Sequence, residues 1–541
     1  PDHGAPLLDA RQQDAANALV EAVRKSTFHV ALLEGVTGSG KTEVYFEAVA
    51  EALRGGKQTL ILMPEIALTT QFRERFEQRF GVAPAEWHSG VAGRKRDRLF
   101  ERVARGEERV VVGARSALFL PFAKLGLIVV DEEHEAAYKQ EDVALYHARD
   151  MSVVRGRIEN IPVVLASATP SLETRVNAQN GRYAHLVLPQ RYGARELPKL
   201  AAIDLRAKGP ARNRWIAPQL EAAMRETLAE GEQVLLFLNR RGYAPLTLCR
   251  ACGHRFRCSD CSAWLVEHRF TRSLRCHHCG HREKRPDACP NCGALDSLTA
   301  CGPGVERLAE EVATQFPDKR ALVLSSDMPG GAERLRQEFK EIAEGKVDIV
   351  IGTQLVAKGH NFPGLTCVGV VDADLGLASG DLRASERTFQ LMQQVTGRAG
   401  RGEKPGRAFL QTHQPDHPVI AALLSGDVER FYAEEIELRR EAGLPPFGRL
   451  AAIIVSATAQ DDAVQHARAL VRNAPRVDGV HVLGPAEAPL ALVRGRHRYR
   501  LLIKAPRSFD LSGYLRAIIA AAPKPVRSMR AVVDVDPQSF F

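Results

Sequence analysis

The chain has 541 residues, of which 45% are hydrophobic and 26% are charged, and its formal net charge is +9. This length exceeds what one hydrophobic core holds and predicts three or four domains, at about 150 residues for each domain. The hydrophobic content argues against a largely disordered chain. The sequence contains no run of about 18 apolar residues, so we expect neither a transmembrane helix nor a membrane partner.

No signal peptide precedes the first predicted domain, so we expect a cytoplasmic location. The chain begins with Pro1 rather than methionine, from which we expect that an N-terminal portion is absent. The small basic excess is compatible with a polyanionic partner such as nucleic acid, although charge alone does not establish one.

The first element of note is a helix predicted within residues 7–23, which leads into an apolar strand at residues 30–33. Gln12 lies upstream of this strand, at a position where nucleotide-driven motors often carry a glutamine that reads adenine. An exposed glutamine of the protein surface is the alternative.

A glycine-rich loop, residues 35–42 (GVTGSGKT), separates this strand from an amphipathic helix predicted at residues 43–53. Backbone N–H groups of such a loop bind phosphates, and the helix N-terminus adds partial positive charge. We expect Lys41 to reach the β- and γ-phosphates of ATP and the Thr42 hydroxyl to ligate Mg²⁺. The predicted nucleotide-binding residues of the loop are Gly35, Gly38, Ser39, Gly40, Lys41 and Thr42. A chance glycine-rich turn is the disfavoured alternative, because the full pattern occurs between a strand and a helix.

Further apolar strands are predicted at residues 59–63, 109–112, 125–130 and 162–166. The third of these ends at Asp131-Glu132-Glu133-His134, and catalytic groups of parallel sheets collect at that edge. Asp131 is expected to hold Mg²⁺ through water, and Glu132 to polarise the water that attacks the γ-phosphate. Acidic helix caps are the alternative.

Two further stretches of this half offer nucleic-acid contacts. The hydroxyls of Thr69 and Thr70 could bind backbone phosphates or simply cap a helix. A loop after Asp131 interleaves aromatic and basic residues, which suits base stacking but is equally compatible with local packing. These loop residues are Tyr138, Lys139, Tyr146, His147 and Arg149.

A second apolar sheet begins with a strand at residues 233–238 and is interrupted by a cysteine-rich segment. Eight thiolates in four C-x-x-C pairs predict two tetrahedral Zn²⁺ sites of structural type, whose metal supplies the folding energy of a segment with few apolar residues. Disulfides and iron are the alternatives. The predicted ligands are Cys249, Cys252, Cys258, Cys261, Cys276, Cys279, Cys289 and Cys292, whereas Cys301 and Cys367 are interpreted as packing residues.

The second sheet resumes with strands predicted at residues 321–324, 348–351 and 368–371. The stretch QQVTGRAGR then places Arg398 and Arg401 three residues apart on one helix face. Arginines that reach a nucleotide from a second lobe can neutralise charge on the transferring phosphoryl group. Solvated surface arginines are the alternative.

The composition changes after residue 413, where a helix at residues 431–442 and strands at 451–455, 500–503 and 531–535 predict a small α+β domain. The basic stretch 494–500 (RGRHRYR) is compatible with a phosphate or acidic-peptide dock, or with a strand edge kept positive against aggregation.

The predicted fold is therefore α/β, with two RecA-like parallel-sheet lobes, a double-zinc insertion in the second lobe and a small α+β C-terminal domain. We expect lobe 1 to span residues 1–205 and lobe 2 to span 206–246 and 302–425. The zinc insertion is expected at 247–301 and the C-terminal domain, for DNA or partner binding, at 426–541.

The combination of GVTGSGKT, DEEH, SATPS, four C-x-x-C pairs, GTQLVAKGHNFP and QVTGRAGR closely resembles the motifs of one helicase family of superfamily 2. This is the family of bacterial replication-restart helicases, PriA or primosomal protein N′. The resemblance covers nearly the whole chain from residue 7 onward, and the cysteine-rich insertion separates it from other superfamily 2 helicases. The family's N-terminal domains, which bind the 3′ end of the leading strand and form a winged helix, are not expected here.

The resemblance implies ATP-driven 3′ to 5′ movement on DNA at abandoned replication forks, followed by primosome assembly that loads the replicative helicase. It assigns adenine recognition to Gln12, the phosphate-loop roles to Lys41 and Thr42, and the finger roles to Arg398 and Arg401, while Asp131 and Glu132 match the family's DEEH acids. It also implies nested zinc ligation, which spacing alone does not choose. One set is Cys249, Cys252, Cys289 and Cys292, and the other is Cys258, Cys261, Cys276 and Cys279.

The expected partners are forked and single-stranded DNA, primosome proteins and single-stranded-DNA-binding protein, and the expected state is a monomer. The expected cofactors are ATP, Mg²⁺ and two Zn²⁺. Two rival functions stay open: a DNA-binding scaffold for primosome assembly that uses ATP only as a conformational switch, and an RNA helicase.

Overall fold

The structure is a computed structural model of the chain. It describes residues 1–64, 70–91, 93–141, 144–192, 196–211, 214–239, 247–249, 256, 258–259, 265–268, 273–276, 281–295, 298–300, 305–324, 331–354, 356, 362–377, 381–402, 404–525 and 529–539. These residues form two compact units. The first comprises Pro1–Leu238, Gln315–Ala373 and Glu386–Asp427, and the second comprises Asn239–Thr314, Asp374–Ser385 and Val428–Phe541.

The strands are β1 (His29–Gly35), β2 (Gln58–Leu62), β3 (Ala85–Trp87), β4 (Val110–Gly113), β5 (Leu125–Asp131), β6 (Lys139–Gln140), β7 (Tyr146–His147), β8 (Pro162–Ser167), β9 (Ala184–Leu188), β10 (Lys199–Asp204), β11 (Gln233–Phe237), β12 (Thr247–Cys249), β13 (Val266–His268), β14 (Ser273–Arg275), β15 (Arg282–Lys284), β16 (Leu298–Ala300), β17 (Ala321–Leu324), β18 (Ile349–Gly352), β19 (Leu365–Val370), β20 (Arg407–Thr412), β21 (Gly448–Ala457), β22 (His481–Val493), β23 (Arg496–Pro506) and β24 (Arg530–Val535).

The α-helices are α1 (Ala10–Lys25), α2 (Lys41–Arg54), α3 (Thr70–Phe80), α4 (Gly93–Ala104), α5 (Ala148–Glu159), α6 (Leu172–Gln179), α7 (Leu205–Lys208), α8 (Pro218–Ala229), α9 (Val305–Gln315), α10 (Gly331–Ala343), α11 (Ala384–Thr396), α12 (Pro418–Ser425), α13 (Val428–Glu441), α14 (Gln460–Arg472) and α15 (Leu511–Ala521). None of the helices in these described ranges is long and apolar enough to cross a membrane.

The first sheet has seven strands in the order β3-β4-β2-β5-β8-β1-β9, and the pairs are parallel. The strand β5 is buried along its whole length, as expected for a parallel sheet covered on both faces. Because β1 and β5 both flank β8, their carboxyl ends lie near one another at one edge of the sheet. This edge receives the glycine-rich loop after β1 and the acidic residues after β5.

The helices α2 and α3 are joined to this sheet by a cluster of phenylalanines. Phe46 of α2 is fully buried and packs edge-on against the rings of Phe72, Phe76 and Phe80 at centroid distances of 5.8, 5.6 and 5.4 Å. Buried aromatic pairs of this kind stabilise a core beyond their area alone, so α2 is held firmly behind the glycine-rich loop.

The second sheet has six parallel strands in the order β10-β20-β19-β11-β18-β17. The expected range of lobe 1, residues 1–205, therefore needs correction, because β10 lies within that range but pairs with β20 of the second sheet. Sequence patterning places a strand but does not say which sheet it joins, and here the partner lies some 200 residues away.

The second unit contains the cysteine-rich segment and the C-terminal domain. In the former, β13, β14 and β15 form an antiparallel sheet and β12 pairs with β16. In the latter, four antiparallel strands in the order β22-β23-β21-β24 pack against α14 and α15. The predicted α+β domain is confirmed, although β22 was not predicted. Its link to β23 is a tight turn at Arg494-Gly495, where both residues have positive φ, 49° and 69°.

Candidate nucleotide site and cysteine-rich region

The glycine-rich loop adopts a conformation that only glycine accommodates easily. Gly38 and Gly40 have φ of 87° and 80°, in the left-handed region that side chains other than glycine rarely adopt. A Cβ added at Gly40 would lie 2.4 Å from Nε2 of Gln12. The helix α2 begins at Lys41, so the loop meets a helix N-terminus in the arrangement that favours phosphate binding.

The Lys41 ammonium lies inside this loop. Its Nζ donates a hydrogen bond to the Gly35 carbonyl at 2.7 Å. Loss of hydration on burial lowers the pKa of Lys41, while the negative charges of Glu132 and Asp131 oppose this shift. The lysine is thus held by a backbone carbonyl and has both carboxylates as electrostatic partners.

Asp131 is the last residue of β5, and two donors fix its carboxylate. Oδ2 accepts from the Tyr45 hydroxyl at 3.0 Å and Oδ1 accepts from the Glu132 N–H at 2.9 Å. Burial, followed by the charge of Glu132, raises the pKa of Asp131 from 3.8 to about 6, against the opposing effect of Lys41. A raised carboxylate pKa marks a site that favours a compensating positive charge.

Glu132 follows in a strained backbone conformation. Its φ is 49°, which is unusual for a non-glycine residue and is typical of functional sites. Its Oε2 is buried and has no hydrogen-bond partner among the residues that the structure describes. A buried carboxylate oxygen without a donor is suited to accept a proton from water.

Glu133 has a different role, because it is fully buried and bonds within the first lobe. Its carboxylate accepts from the Ser171 N–H at 2.6 Å, from the hydroxyls of Ser171 and Thr174 at 3.0 and 2.9 Å, and from Arg149 at 3.3 Å. The acid joins the DEEH stretch to the start of α6. It therefore fixes the SATPS loop relative to the catalytic acids.

His134 continues the chain of contacts into the second lobe. Its Nδ1 lies 2.7 Å from Oγ of Ser167, and its Nε2 lies 2.8 Å from Nε2 of Gln394 on α11. Two further hydrogen bonds join α11 to the same region of the first lobe. Gln390 donates to the Thr169 carbonyl at 3.2 Å, and Glu386 accepts from the Leu172 N–H at 2.9 Å.

The predicted finger arginines lie beside these carboxylates. Arg398 is 5% exposed, and burial lowers its pKa to about 10 while the charge of Glu132 opposes the shift. Burial also lowers the pKa of Arg401, and the positive charges of Arg398 and Arg191 lower it further. The burial of Arg398 contradicts the alternative of a solvated surface arginine at this position.

One cavity of about 820 Å³ collects these groups from both lobes. Its walls include Gln12, Gly38, Ser39, Gly40, Lys41, Thr42, Asp131, Glu132, Arg398 and Arg401, whereas Gly35 contributes through the carbonyl that holds Lys41. The volume and the charges fit a nucleoside triphosphate with a divalent cation: Lys41 and the arginines for the phosphates, and Thr42 and Asp131 for Mg²⁺.

Gln12 also lines the cavity, with both ends of its amide bonded to protein. Nε2 donates to the Ser39 carbonyl at 2.8 Å, and Oε1 accepts from the Asp9 N–H at 3.0 Å in a capping box of α1. Gln12 is 2% exposed, so the alternative of an exposed surface glutamine is wrong. In this arrangement it supports the glycine-rich loop.

The aromatic and basic loop after Asp131 is packed into the first lobe. Tyr138 is 1% exposed and its hydroxyl donates to the carbonyls of Leu62 and Asp131. Lys139, His147 and Arg149 are buried as well. For these four residues the local-packing interpretation holds, whereas Tyr146 is half-buried. Thr69 lies outside the described residues, and so does the side chain of Thr70.

The cysteine-rich segment is described in part. Cys258, Cys276 and Cys289 are buried, and Cys292 is exposed. Cys276 N–H donates to the His281 carbonyl and Cys289 N–H donates to the Ala294 carbonyl, both at 2.9 Å and both five residues along. The first cysteine of each of these two pairs thus makes the same backbone hydrogen bond.

The remaining predicted ligands, Cys252, Cys261 and Cys279, lie outside the described residues, and the side chain of Cys249 does so too. Among the residues that are described, no group of three or more potential ligands is assembled. Cys367 is buried in the second sheet, where burial raises its thiol pKa to about 11, as expected of a packing residue.

Comparison with known families identifies four parts of the chain. The matched families are DEAD/DEAH box helicase over residues 10–177, PriA DNA helicase Cys-rich region domain over 258–284, Helicase conserved C-terminal domain over 303–403 and Primosomal protein N C-terminal domain over 440–538. Among curated proteins, the chain is 45% identical over 536 residues to Replication restart protein PriA of Rickettsia felis, covering 99% of this chain and 82% of that protein. The chain belongs to the PriA family.

Identity to PriA of Bacillus subtilis is 40% over 544 residues, with 99% of this chain and 67% of that protein covered. PriA proteins are replication-restart helicases, and the helicase models match the two RecA-like lobes of this chain. The DEAD/DEAH match implies nucleotide and Mg²⁺ use. The match to the PriA Cys-rich domain supports zinc binding in the segment that holds Cys258 and Cys276.

Several residues that contact the site are not predicted from the sequence. Glu133 and His134 belong to DEEH, and Gln394 belongs to QQVTGRAGR, but these motifs assign them no role. Arg191, which contacts the finger loop, carried no motif at all. Their partners lie elsewhere along the chain, so no local pattern of the sequence predicts these contacts.

Proposed function

We propose that this protein is an ATP-dependent 3′ to 5′ DNA helicase that remodels stalled replication forks and initiates primosome assembly for replication restart. The observation that carries the proposal is the shared cavity. There Lys41, Asp131 and Glu132 of the first lobe face Arg398 and Arg401 of the second. Relatives named Replication restart protein PriA support the choice of DNA forks as the substrate.

ATP hydrolysis in this cavity divides into separate tasks. Lys41 and the glycine-rich loop bind the phosphates, and Glu132 accepts a proton from the attacking water through its buried Oε2. Arg398 and Arg401 neutralise the charge that develops on the γ-phosphoryl group. Mg²⁺, held by Thr42 and Asp131, would supply charge neutralisation for the β- and γ-oxygens.

Coupling to strand separation follows from the contacts between the lobes. Hydrogen bonds made by His134, Gln390 and Glu386 join the first lobe to α11 of the second lobe. Because both lobes also line the nucleotide cavity, loss of the γ-phosphate acts on both lobes at once. DNA stacking averages about 1.4 kcal/mol per base-pair step, an amount that one ATP turnover exceeds.

The cysteine-rich segment is proposed to bind two Zn²⁺ ions in nested sets. The first set is Cys249, Cys252, Cys289 and Cys292, and the second is Cys258, Cys261, Cys276 and Cys279. The four C-x-x-C pairs and the match to the PriA DNA helicase Cys-rich region domain support this assignment. Together with the C-terminal domain, this module is proposed to contact DNA, primosome proteins and single-stranded-DNA-binding protein, with the helicase acting as a monomer.

A strand-displacement assay on forked duplexes tests the helicase against an ATP-switched scaffold. Duplexes with a single 3′ or 5′ tail report polarity. We expect ATP-dependent release of the displaced strand from the 3′-tailed substrate. A chain that binds the fork but releases nothing would act as a scaffold.

Lys41→Ala is the matched control, expected to bind the fork but to lose the DNA-stimulated ATPase. ATPase assays with single-stranded DNA, forked DNA and RNA separate a DNA helicase from an RNA helicase. Equal turnover by Lys41→Ala and the wild-type chain would refute the nucleotide site.

A further inference from the structure

Arg191 lies in the connection that leaves the first sheet after β9, beside the glycine-rich loop. The Val36 N–H donates to the Leu188 carbonyl at 3.1 Å, and the Tyr192 N–H donates to the Gly38 carbonyl at 3.0 Å. Two backbone bonds therefore tie this connection to the loop that binds phosphate. The backbone of Arg191 moves with the loop.

The guanidinium of Arg191 points the other way, into the second lobe. Nη2 donates to the Gly397 carbonyl at 2.8 Å, and Nη1 donates to the carbonyls of Gly400 at 2.8 Å and Ala399 at 3.2 Å. Arg191 is 3% exposed. One side chain thus holds three carbonyls of the segment that carries Arg398.

These carbonyls follow the last turn of α11, where a helix leaves backbone acceptors without partners inside the helix. A planar guanidinium with several N–H donors satisfies such a set in a way that an ammonium does not. The Gly397 carbonyl also accepts from Nε of Arg401 at 3.1 Å. The same carbonyl therefore links Arg191 to a finger arginine.

We propose that Arg191 is a positioning residue for ATP hydrolysis. It holds the loop of Arg398 and Arg401 in register with the glycine-rich loop, so that the fingers engage only when the phosphate loop is in place. Arg191 acts through these arginines and not on the substrate directly. The inference rests on the proposed ATPase function and deepens it.

Arg191→Met removes the donors while keeping most of the apolar stem. We expect it to lower kcat of the DNA-stimulated ATPase by up to about 100-fold, the cost of a misplacement near 1 Å. KM for ATP and the affinity for a fluorescent ATP analogue should change little, because Lys41 and the loop remain. Millimolar guanidinium should restore part of kcat in this variant alone.

Arg191→Lys keeps the charge but not the fork of donors, and should resemble Arg191→Met. Arg439→Met is the matched control. Arg439 is equally buried, at 3% exposed, and forms an ion pair with Glu435 within α13. Its loss should lower the thermal stability. The kcat of Arg439→Met should equal that of the wild-type chain, and added guanidinium should not change it.

The outcomes separate the two claims. A wild-type chain without ATPase overturns the proposed function and this inference with it. Normal wild-type turnover with an Arg191→Met kcat within twofold overturns the inference alone. Wild-type behaviour of Arg191→Lys, or a loss of kcat that guanidinium does not restore, contradicts the requirement for donors that bridge the carbonyls.

Discussion

His134 and Gln394 lie in hydrogen-bond contact across the two lobes, with 2.8 Å between their Nε2 atoms. The other ring nitrogen, Nδ1, lies 2.7 Å from Oγ of Ser167. The His134 imidazole therefore connects DEEH, SATPS and the finger motif.

Gln394→Ala should uncouple the lobes without removing a catalytic group. We expect kcat of the ATPase to fall between about twofold and thirtyfold, the range for a lost coupling contact of 0.5–2 kcal/mol. KM for ATP should stay close to that of the wild-type chain. Gln393→Ala, at the half-buried preceding position on the same helix, is the control. Equal effects of both variants would show that the His134 contact carries no coupling.

Asp131→Asn should stabilise the nucleotide-free protein while abolishing hydrolysis. The pKa of Asp131 is raised to about 6 by burial and by Glu132, so the folded state binds the proton more tightly than the unfolded state does. The resulting stabilisation is complete below about pH 4 and is lost as the pH rises through about 6. Asparagine does not ionise, so the variant keeps this stabilisation at high pH. Its free energy of unfolding at pH 8 should exceed that of the wild-type chain by about 1–3 kcal/mol.

Thermal unfolding at pH 5 and pH 8 measures this effect. The midpoint of Asp131→Asn should exceed that of the wild-type chain at pH 8, and by a smaller margin at pH 5. Asp97→Asn, at an exposed position of α4, should show no such pH-dependent gap. A variant less stable than the wild-type chain at pH 8 would contradict the raised pKa.

Arg398→Lys should fail to preserve activity even though it keeps a basic residue. Burial lowers the pKa of Arg398 to about 10, so the arginine stays charged at pH 7. A lysine begins from a lower pKa and loses its charge more readily when buried. We expect kcat near that of Arg398→Ala, about 10³–10⁵-fold below the wild-type value.

Steady-state ATPase at pH 7 and pH 9 measures this. The residual activity of Arg398→Lys relative to the wild-type chain should fall as the pH rises. Arg24→Lys, an exchange at an exposed ion pair with Glu51, should leave turnover unchanged. Near-normal kcat for Arg398→Lys would show that a positive charge suffices for hydrolysis and that the several N–H donors of a guanidinium are not needed.

The parts of the site that were predictable are those encoded by adjacent residues. Strand, glycine-rich loop and helix follow one another between β1 and α2, and the acids follow β5 directly, so short sequence patterns name Lys41, Asp131 and Glu132. Arg191 was beyond such patterns, because its partner Gly397 lies 206 residues away and backbone carbonyls leave no sequence signal.

Where a sequence pattern allows two interpretations, the burial of the side chain distinguishes between them. An aromatic and basic loop looks alike whether it stacks bases or fills a core. The fully buried hydroxyl bonds of Tyr138 identify packing. The sequence assigns no role to Glu133, and its partners Arg149, Ser171 and Thr174 make it a structural anchor. The place of β10 in the second sheet depends on its pairing with β20, which is distant in sequence.

Paired cysteine variants should distinguish nested zinc ligation from adjacent ligation. We expect about two Zn²⁺ per wild-type chain, a number that follows from eight thiolates in tetrahedral sites. Cys258 and Cys276 belong to one proposed set, so the double serine variant should lose one ion. Cys276 and Cys289 belong to different sets, so their double variant should lose both, although each pair removes two thiolates.

Metal analysis of the purified chains gives this count, with Cys367→Ser as the control because that thiol is buried in β19 and belongs to no C-x-x-C pair. Sequential ligation, in which neighbouring C-x-x-C pairs share an ion, reverses the expectation: the first double variant then loses one ion from each site and the second loses one ion in total. Zinc removal by chelator should unfold the segment around β13, β14 and β15, since the sequence of this segment contains too few apolar residues to fold alone. A metal-free chain whose amides in that sheet stay protected from hydrogen exchange would contradict a metal-dependent fold.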